Sequence, residues 1–239
     1  MSKAHLLQTK LITFIRENTQ WPRRKVLDKI TSGCVTINTI PCTNSTTLIQ
    51  PTDKIAIDGK NIQKKAFIYY KFHKPISTIS TLKDPNQRRD LSWHIKKHNL
   101  STTLRPCGRL DTDSSGLLIF SNDGDFIHQV LHPNFSIEKV YNITLNKPLS
   151  KHHESTLRNG LFLEDGPVKM EFLHKKSPIS FTIKIFIGRN RILRRSFAHF
   201  GYTVQTLHRV SIGPIHLNNL AQGQFEPIPR PLIESIKSL

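Results

Sequence analysis

Two clusters of side chains in this 239-residue chain have the types and spacing that chemistry requires. The first is Gly108-Arg109-Leu110-Asp111-Thr112-Asp113-Ser114-Ser115-Gly116, followed by the apolar run Leu117 to Phe120. Glycines bracket a short polar run between two strand-like segments, which is how a chain makes a tight loop at the end of a sheet. A carboxylate on such a loop is held by a rigid scaffold, and Asp111 is therefore a candidate catalytic group. The same spacing also describes a solvated turn in which Asp111 bonds its own backbone. The second cluster is Gly188-Arg189-Asn190-Arg191-Ile192-Leu193-Arg194-Arg195, with four arginines in seven residues. It lies within Phe172 to Phe225, a stretch without a single acidic residue. Its guanidinium groups must meet carboxylates from elsewhere in the chain or phosphates from outside. In a helix over 189–200, Arg191, Arg194 and Arg195 would share one side, with Leu193, Phe197 and Phe200 as the core stripe. One of those arginines facing Asp111 would keep its carboxylate ionised. A solvated basic face is the other reading of the same residues.

Other groupings are weaker. Asp111, Asp113, Asp123 and Asp125 lack the ligand spacing and closing glutamate of a calcium loop, and Asn122-Asp123-Gly124 reads as a turn. His94 and His98 lie one helical turn apart, yet no third ligand stands at a recognised distance. With Lys96 and Lys97 they read as a basic helix face. No Ser-His-Asp order, HExxH or Walker-type pattern occurs, so neither a metal nor a cofactor is expected.

The elements that must position these clusters follow from the patterning. Leu7, Leu11 and Phe14 form one apolar stripe of a helix, interrupted at Trp21-Pro22. A second helix has Val26, Leu27 and Ile30 as its core side, with Arg23, Arg24, Lys25 and Lys29 on or near its other face, and ends at Ser32-Gly33. Two short strands follow, Val35–Ile37 and Lys54–Ile57. The polar stretch Gly59 to Lys65 reads as a linker. This divides the chain into a unit of helix, helix and small sheet over residues 1–62, and a larger domain over 66–239. In the larger part, strands are expected over Ala66–Phe72, Leu117–Phe120, Val140–Leu145, Val168–Phe172, Phe181–Ile187 and Tyr202–Leu207. Helices are expected near 125–131, 152–158 and 192–200. Strands outnumber helices and do not alternate with them regularly, which predicts an α+β fold with a mixed, mostly antiparallel sheet.

Composition narrows the partners. Lys and Arg number 35 against 17 Asp and Glu, a net charge of +18. Such an excess points first to nucleic acid, because each basic group set against a phosphate releases a counterion. No apolar run approaches the ~20 residues that cross a bilayer, so no membrane partner is expected. Residues 1–20 lack the apolar core of an export signal. The three cysteines, Cys34, Cys42 and Cys107, form no CxxC pair and fit a reducing cytoplasm. Nothing in the sequence demands more than a monomer.

These motifs, taken in order, resemble the RsuA-type pseudouridine synthases of bacterial ribosomal RNA. The carriers are GRLDTDSSGLLIFSNDGD (108–125), Val130-Leu131-His132-Pro133, Glu138-Lys139-Val140-Tyr141 and GRNRILRR (188–195). Leu207-His208-Arg209-Val210-Ser211-Ile212-Gly213-Pro214 and Gly223-Gln224-Phe225 resemble the family's C-terminal end. The likeness covers essentially all of residues 66–239. The N-terminal unit is similar to the S-four-type RNA-binding domain that usually precedes these enzymes, through Pro22-Arg23-Arg24-Lys25 and Gly33-Cys34-Val35-Thr36-Ile37-Asn38.

The resemblance implies isomerisation of a specific uridine in ribosomal RNA or a ribosome precursor, first in the large-subunit RNA and alternatively in the small. It implies Asp111 as the catalytic aspartate, Tyr141 as the aromatic residue that stacks on the target base, and Arg194 as the aspartate's basic partner. Arg109 and Arg191 flank the site, Leu193 fills an apolar position beside it, and Arg23, Arg24 and Lys25 bind RNA. A non-catalytic RNA-binding or assembly module is the alternative from another class. The sequence departs from the family at Ile192, where Gln or Glu is usual, and at Ser196, where Met is common. It departs also at Thr39, in place of a glycine, and at Cys107, in place of Val or Ile. The first two border Arg194 and put its orientation in question.

Overall fold

A computed structural model describes residues 9–19, 21–63, 66–86 and 88–239, and the chain divides after Phe67 into two units. Leu7 of the first apolar stripe and Lys65 of the expected linker lie outside the described residues.

The first unit contains β1 (Thr9–Lys10), α1 (Leu11–Asn18), α2 (Arg23–Thr31), β2 (Val35–Ile37), β3 (Ile40–Pro41), β4 (Leu48–Ile49), β5 (Ile55–Ile57) and β6 (Lys60–Asn61). Four strands form an antiparallel sheet in the order β3-β2-β5-β6. Leu11, Ile15, Val26, Ile30, Val35 and Ile55 meet in one core, so the helical and strand periodicities converge on the same apolar cluster. Leu27 differs from its expected place: it is 38% exposed, because its neighbours Val26 and Ile30 already cover the sheet. Pro22 precedes the first helical residue and does not occupy it. Lys60 and Asn61 pair with Ile57 and Ala56, so the sheet extends into the stretch read as a linker.

The second unit is built on β7 (Tyr69–Lys74), α3 (Leu91–Lys97), β8 (Arg105–Pro106), β9 (Ser115–Ser121), α4 (Gly124–Leu131), β10 (Lys139–Leu145), α5 (Lys151–Asn159), β11 (Leu161–Leu163), β12 (Gly166–Val168), β13 (Glu171–Ser177), β14 (Ser180–Ile185), α6 (Ile192–Ala198), β15 (Val204–Ile212), β16 (Ile215–His216), β17 (Phe225–Pro227) and α7 (Arg230–Lys237). Its main sheet runs β13-β14-β10-β15-β9-β7-β17, with β8 added to β9 and β16 to β15. Every pairing in it is antiparallel except β9 with β15, which is parallel. The fold is α+β with a mixed, mostly antiparallel sheet.

Strand β9 explains its own sequence. Leu117 and Ile119 point into a core shared with α4 and α7, while Leu118 and Phe120 point into one shared with Phe72 and α3. A strand covered on both faces reads as a continuous apolar run, as this one does. A further core lies between β10, β14 and β15 and the helices α5 and α6. The strand expected over 168–172 is two strands, β12 and β13, with Met170 N–H turned to donate to the Leu157 carbonyl. The turn expected at 122–124 is the start of α4, because the Asp123 carboxylate accepts from Phe126 N–H at 3.1 Å and caps the helix. His94 is buried and its imidazole is pushed down to about 4, burial being the main cause, so it is neutral and leaves the basic face to Lys96 and Lys97.

The parallel junction demands a particular residue. Gly116 of β9 faces Arg209 of β15 at φ +110°, and a Cβ built there would lie 2.2 Å from the Arg209 carbonyl oxygen. Gly116→Ala is therefore expected to cost roughly 3 kcal/mol or more. That corresponds to a Tm lowered by about 10 °C for a unit of this size, read by calorimetry; an unchanged Tm would contradict the close approach.

Candidate active site

Asp111 sits on the loop between β8 and β9, at the end of the parallel junction. The loop is held from beneath by Lys74, the last residue of β7, which is wholly inaccessible to solvent. Its ammonium donates to the carbonyls of Pro75, Asp111 and Ser114 at 3.1, 3.0 and 2.8 Å. Burial pulls this ammonium down to about 8, against the opposing pull of Asp111 and Asp113. From the side, Ser80 Oγ donates to the Leu110 carbonyl at 2.6 Å, and Leu110 N–H donates back to Ser80 Oγ at 3.1 Å. The loop is thus fixed by groups whose own places are set by the sheet.

The second cluster arrives from α6. Arg191, just before the helix, takes a left-handed backbone conformation at φ 45°. Its guanidinium lies 3.4 Å from Asp111 Oδ2 and 3.2 Å from Asp113 Oδ2. Arg194, one turn on, is largely buried: Nη1 donates to the Val204 carbonyl at 2.7 Å, and Nη2 donates to the Asp113 carbonyl at 3.0 Å and Ser114 Oγ at 3.2 Å. Nη2 also lies 3.2 Å from Asp113 Oδ1. Arg194 Nε is buried without a hydrogen-bond partner among the described residues and stands 4.0 Å from Asp111 Oδ2. The Asp111 carboxylate is therefore bracketed by two guanidinium groups, Arg191 the nearer and Arg194 the more fixed. Burial works against a charge on Asp113, yet the Arg191 hydrogen bond and the Arg194 charge hold its carboxyl below the usual range.

The four arginines do not form one basic side. Arg195 donates to both oxygens of Asp165, at 3.1 and 2.5 Å, and Arg189 pairs with the same carboxylate at 3.2 Å. Because α6 begins only at Ile192, Arg191 and Arg194 turn to one acidic loop and Arg195 to another. The departures at Ile192 and Ser196 leave Arg194 anchored: Ile192 is buried, and Ser196 Oγ donates to the Ile192 carbonyl at 2.8 Å.

Beside Asp111 opens a cavity of about 360 Å³, bordered by Asp111, Lys139, Tyr141, Ile192, Leu193 and Arg209. Tyr141 is buried on β10, and its hydroxyl accepts from Arg209 Nη1 at 3.3 Å. Arg209 also donates from Nε to the Leu117 carbonyl at 2.7 Å, while its Nη2 has no partner among the described residues. Lys139, two residues from Tyr141 on the same strand, donates to the Ile137 carbonyl, and burial with the charge of Arg209 pulls it down to about 8. Arg109 is exposed and borders both this cavity and an outer depression of about 440 Å³ shared with Ser77, Ile79, Asp113 and Arg191.

The structure thus brings together Asp111, Arg109, Arg191, Leu193, Arg194 and Tyr141. Arg23, Arg24 and Lys25 lie exposed on α2 of the first unit. Sequence reasoning missed the parts played by Lys74, Asp113, Lys139 and Arg209. Lys74-Pro75 reads only as a strand end, and the alternation of β10 and β15 was the one available sign that Lys139 and Arg209 point inward. No group of three or more metal-ligating side chains occurs among the described residues.

Comparison with known proteins places this geometry in a family. Residues 68–199 match the model of the RNA pseudouridylate synthases. The ribosomal large subunit pseudouridine synthase B of Bacillus subtilis is 30% identical over 223 residues, covering 91% of each chain. The ribosomal small subunit pseudouridine synthase A of Pasteurella multocida is 28% identical over 223 residues, covering 92% of this chain and 95% of that one. A crystal structure of a pseudouridylate synthase superposes with a TM-score of 0.67 at 24% identity, covering 95% of this chain and 99% of the other, a likeness of fold. The chain belongs to the RNA pseudouridylate synthase family.

Proposed function

We propose that the protein isomerises a specific uridine of ribosomal RNA to pseudouridine, with Asp111 as the catalytic carboxylate. The observation that carries this reading is a half-buried carboxylate, bracketed by Arg191 and Arg194, opening on a cavity walled by Tyr141 and Leu193. The C1′ atom of a stacked nucleotide is out of reach, so the uridine is flipped into the cavity. Tyr141 stacks on the base, and Leu193 closes the apolar side. Asp111, held in place between its guanidinium partners, promotes breakage of the C1′–N1 bond. The uracil turns, C1′ bonds to C5, the proton on C5 leaves and one returns to N1. Atoms and electrons balance with no outside reactant. Lys139 and Arg209 put positive charge at the wall where the carbonyl oxygens of the base lie.

Arg109 and Arg191 take phosphates at the entrance, and the first unit binds RNA through Arg23, Arg24 and Lys25 as an S-four-type domain over residues 1–62. A net charge of +18 supports both contacts. The substrate is the large-subunit RNA, on the strength of the 30% identity with the Bacillus subtilis large-subunit enzyme. The 28% identity with a small-subunit enzyme keeps that RNA as a second reading. The protein works as a monomer in the cytoplasm, where its three unpaired thiols fit a reducing medium.

Pseudouridine maps of ribosomal RNA from cells with and without the protein test the function directly. One or a few positions are expected to lose the modification, and the RNA that carries them decides between the two subunits; a map that does not change overturns the proposal. Asp111→Asn is expected to abolish turnover, by at least about 10³-fold, while RNA affinity stays within about threefold. Retained turnover would remove Asp111 from its role.

The buried wall also makes a prediction about pH. Lys139 is held at about 8 in the folded protein and has the ordinary value of 10.5 when unfolded. Below pH 8 both states hold the proton, and folding bears the cost of burying the charge. Between pH 8 and 10.5 the unfolded chain binds more protons, so the contribution of Lys139 to stability rises with pH. In urea unfolding, wild type is expected to gain roughly 2 kcal/mol on Lys139→Met between pH 8 and pH 10. A difference independent of pH would contradict the burial of the charge.

A further inference from the structure

The outer face of α3 has features the proposed chemistry leaves unused. Trp93 is 42% exposed. Two cations lie against its ring: the Arg89 guanidinium is 4.6 Å from the centroid and the Lys97 ammonium 5.2 Å. Lys97 stands one helical turn after Trp93, and Arg89 lies in the segment just before the helix, so the indole has a cation from each. Residues 81–105 carry a net charge of +4. Both carboxylates of this stretch are satisfied internally: Asp84 pairs with Arg88 at 2.8 Å, and Asp90 accepts from Trp93 N–H and Ser92 Oγ. The cations around the indole therefore meet no acidic partner of their own segment. Next to it a groove of about 440 Å³ is lined by Ser92, Lys96, Thr102 and Arg105.

A backbone contact links this face to the candidate active site. Ile79, which lines the outer depression beside Asp111, donates its N–H to the Arg89 carbonyl at 3.0 Å. One backbone hydrogen bond thus ties a residue at the entrance of the site to a residue beside Trp93.

We infer that the outer face of α3, with Trp93 between Arg89 and Lys97, binds single-stranded RNA that flanks the flipped uridine. An unpaired base stacks on the indole, in place of one of the cations now beside it, and the phosphates on either side meet Arg89 and Lys97. The inference rests on the proposed function for its RNA. The chemistry of the face selects it on its own terms: an exposed aromatic ring within a basic strip is how proteins hold single strands without reading sequence. A protein partner would be favoured by a wider apolar patch; here one ring is exposed and its neighbours are cations.

The test uses the full chain. Trp21 and Trp93 are the only tryptophans, so Trp21→Phe leaves Trp93 as the sole reporter. The probe is a single-stranded 12-nucleotide RNA without uridine, compared with the same strand in a duplex. A probe that the site has no means to isomerise separates this test from the fate of the catalytic proposal. The single strand is expected to quench Trp93 emission strongly, and the duplex weakly. In the otherwise unaltered protein, Trp93→Ala is expected to weaken binding of the single strand by about 5- to 100-fold, the range for loss of one stacked base, with Trp93→Phe closer to wild type. Replacing Arg89 and Lys97 by Ser is expected to lower the slope of log Kd against log salt by about 2. Unchanged emission together with unchanged affinity of Trp93→Ala would overturn the inference. So would unchanged affinity for the RNA with weakened binding to intact ribosomal subunits, which would assign the face to a ribosomal protein.

Discussion

Everything at the site depends on one electrostatic arrangement, in which two carboxylates of the β8–β9 loop meet two guanidinium groups from the start of α6. Asp111 and Asp113 alone would repel each other on a short loop. Arg194 alone would leave positive charge buried against β15, and Arg191 beside it would add to the repulsion. Together they neutralise, and the planar forks of arginine fix direction as well as charge. Asp113 takes most of the hydrogen bonding, at 3.2 Å from each arginine, and Asp111 stands at 3.4 and 4.0 Å. That asymmetry is chemically useful. The carboxylate with the looser contacts is the one bordering the cavity, so it is oriented without being fully occupied.

The scaffold beneath serves this arrangement. The parallel pairing of β9 and β15 brings Gly116 against Arg209, and the absence of a side chain at Gly116 lets the two backbones approach. Arg209 in turn reaches Tyr141 across the neighbouring strand, while Lys74 ties the Asp111 loop to β7 through three carbonyls. Two buried cations, Lys139 and Arg209, thus line a cavity with one carboxylate at its mouth, and a third, Lys74, is buried beneath the loop that carries it. Burying positive charge is costly unless something strongly polar is met there; Lys74 and Lys139 meet backbone carbonyls, while Arg209 Nη2 has no partner among the described residues and in the proposed reaction meets an oxygen of the base.

Much of this was legible in the sequence because it is written in local patterns. The run Leu117–Phe120, the glycines around Asp111 and the acid-free stretch around the arginines each announce a strand, a loop and a cluster needing distant partners. The resemblance to a family supplied the roles that spacing alone leaves open. What stayed hidden are properties of pairing. Which carboxylate each arginine meets depends on where α6 begins, and the left-handed turn at Arg191 separates it from Arg195 in a way that helical periodicity does not anticipate. The inward aim of Lys74, Lys139 and Arg209 depends on neighbouring strands, and a basic residue in a strand reads as solvent-facing until its partner strands are known. His94 was misread for the same reason: Phe72, a residue distant in sequence, packs against its ring at 5.0 Å and buries it.

The central claim is that Arg194 acts through Asp111 and not as a phosphate contact. The most direct measurement is the single-turnover rate of pseudouridine formation by Arg194→Met, taken alongside its RNA affinity. The rate is expected to fall by at least about 100-fold with affinity within about threefold of wild type, since the loss falls on the positioning of the Asp111 carboxylate. A wild-type rate, or a loss confined to RNA affinity, would contradict it.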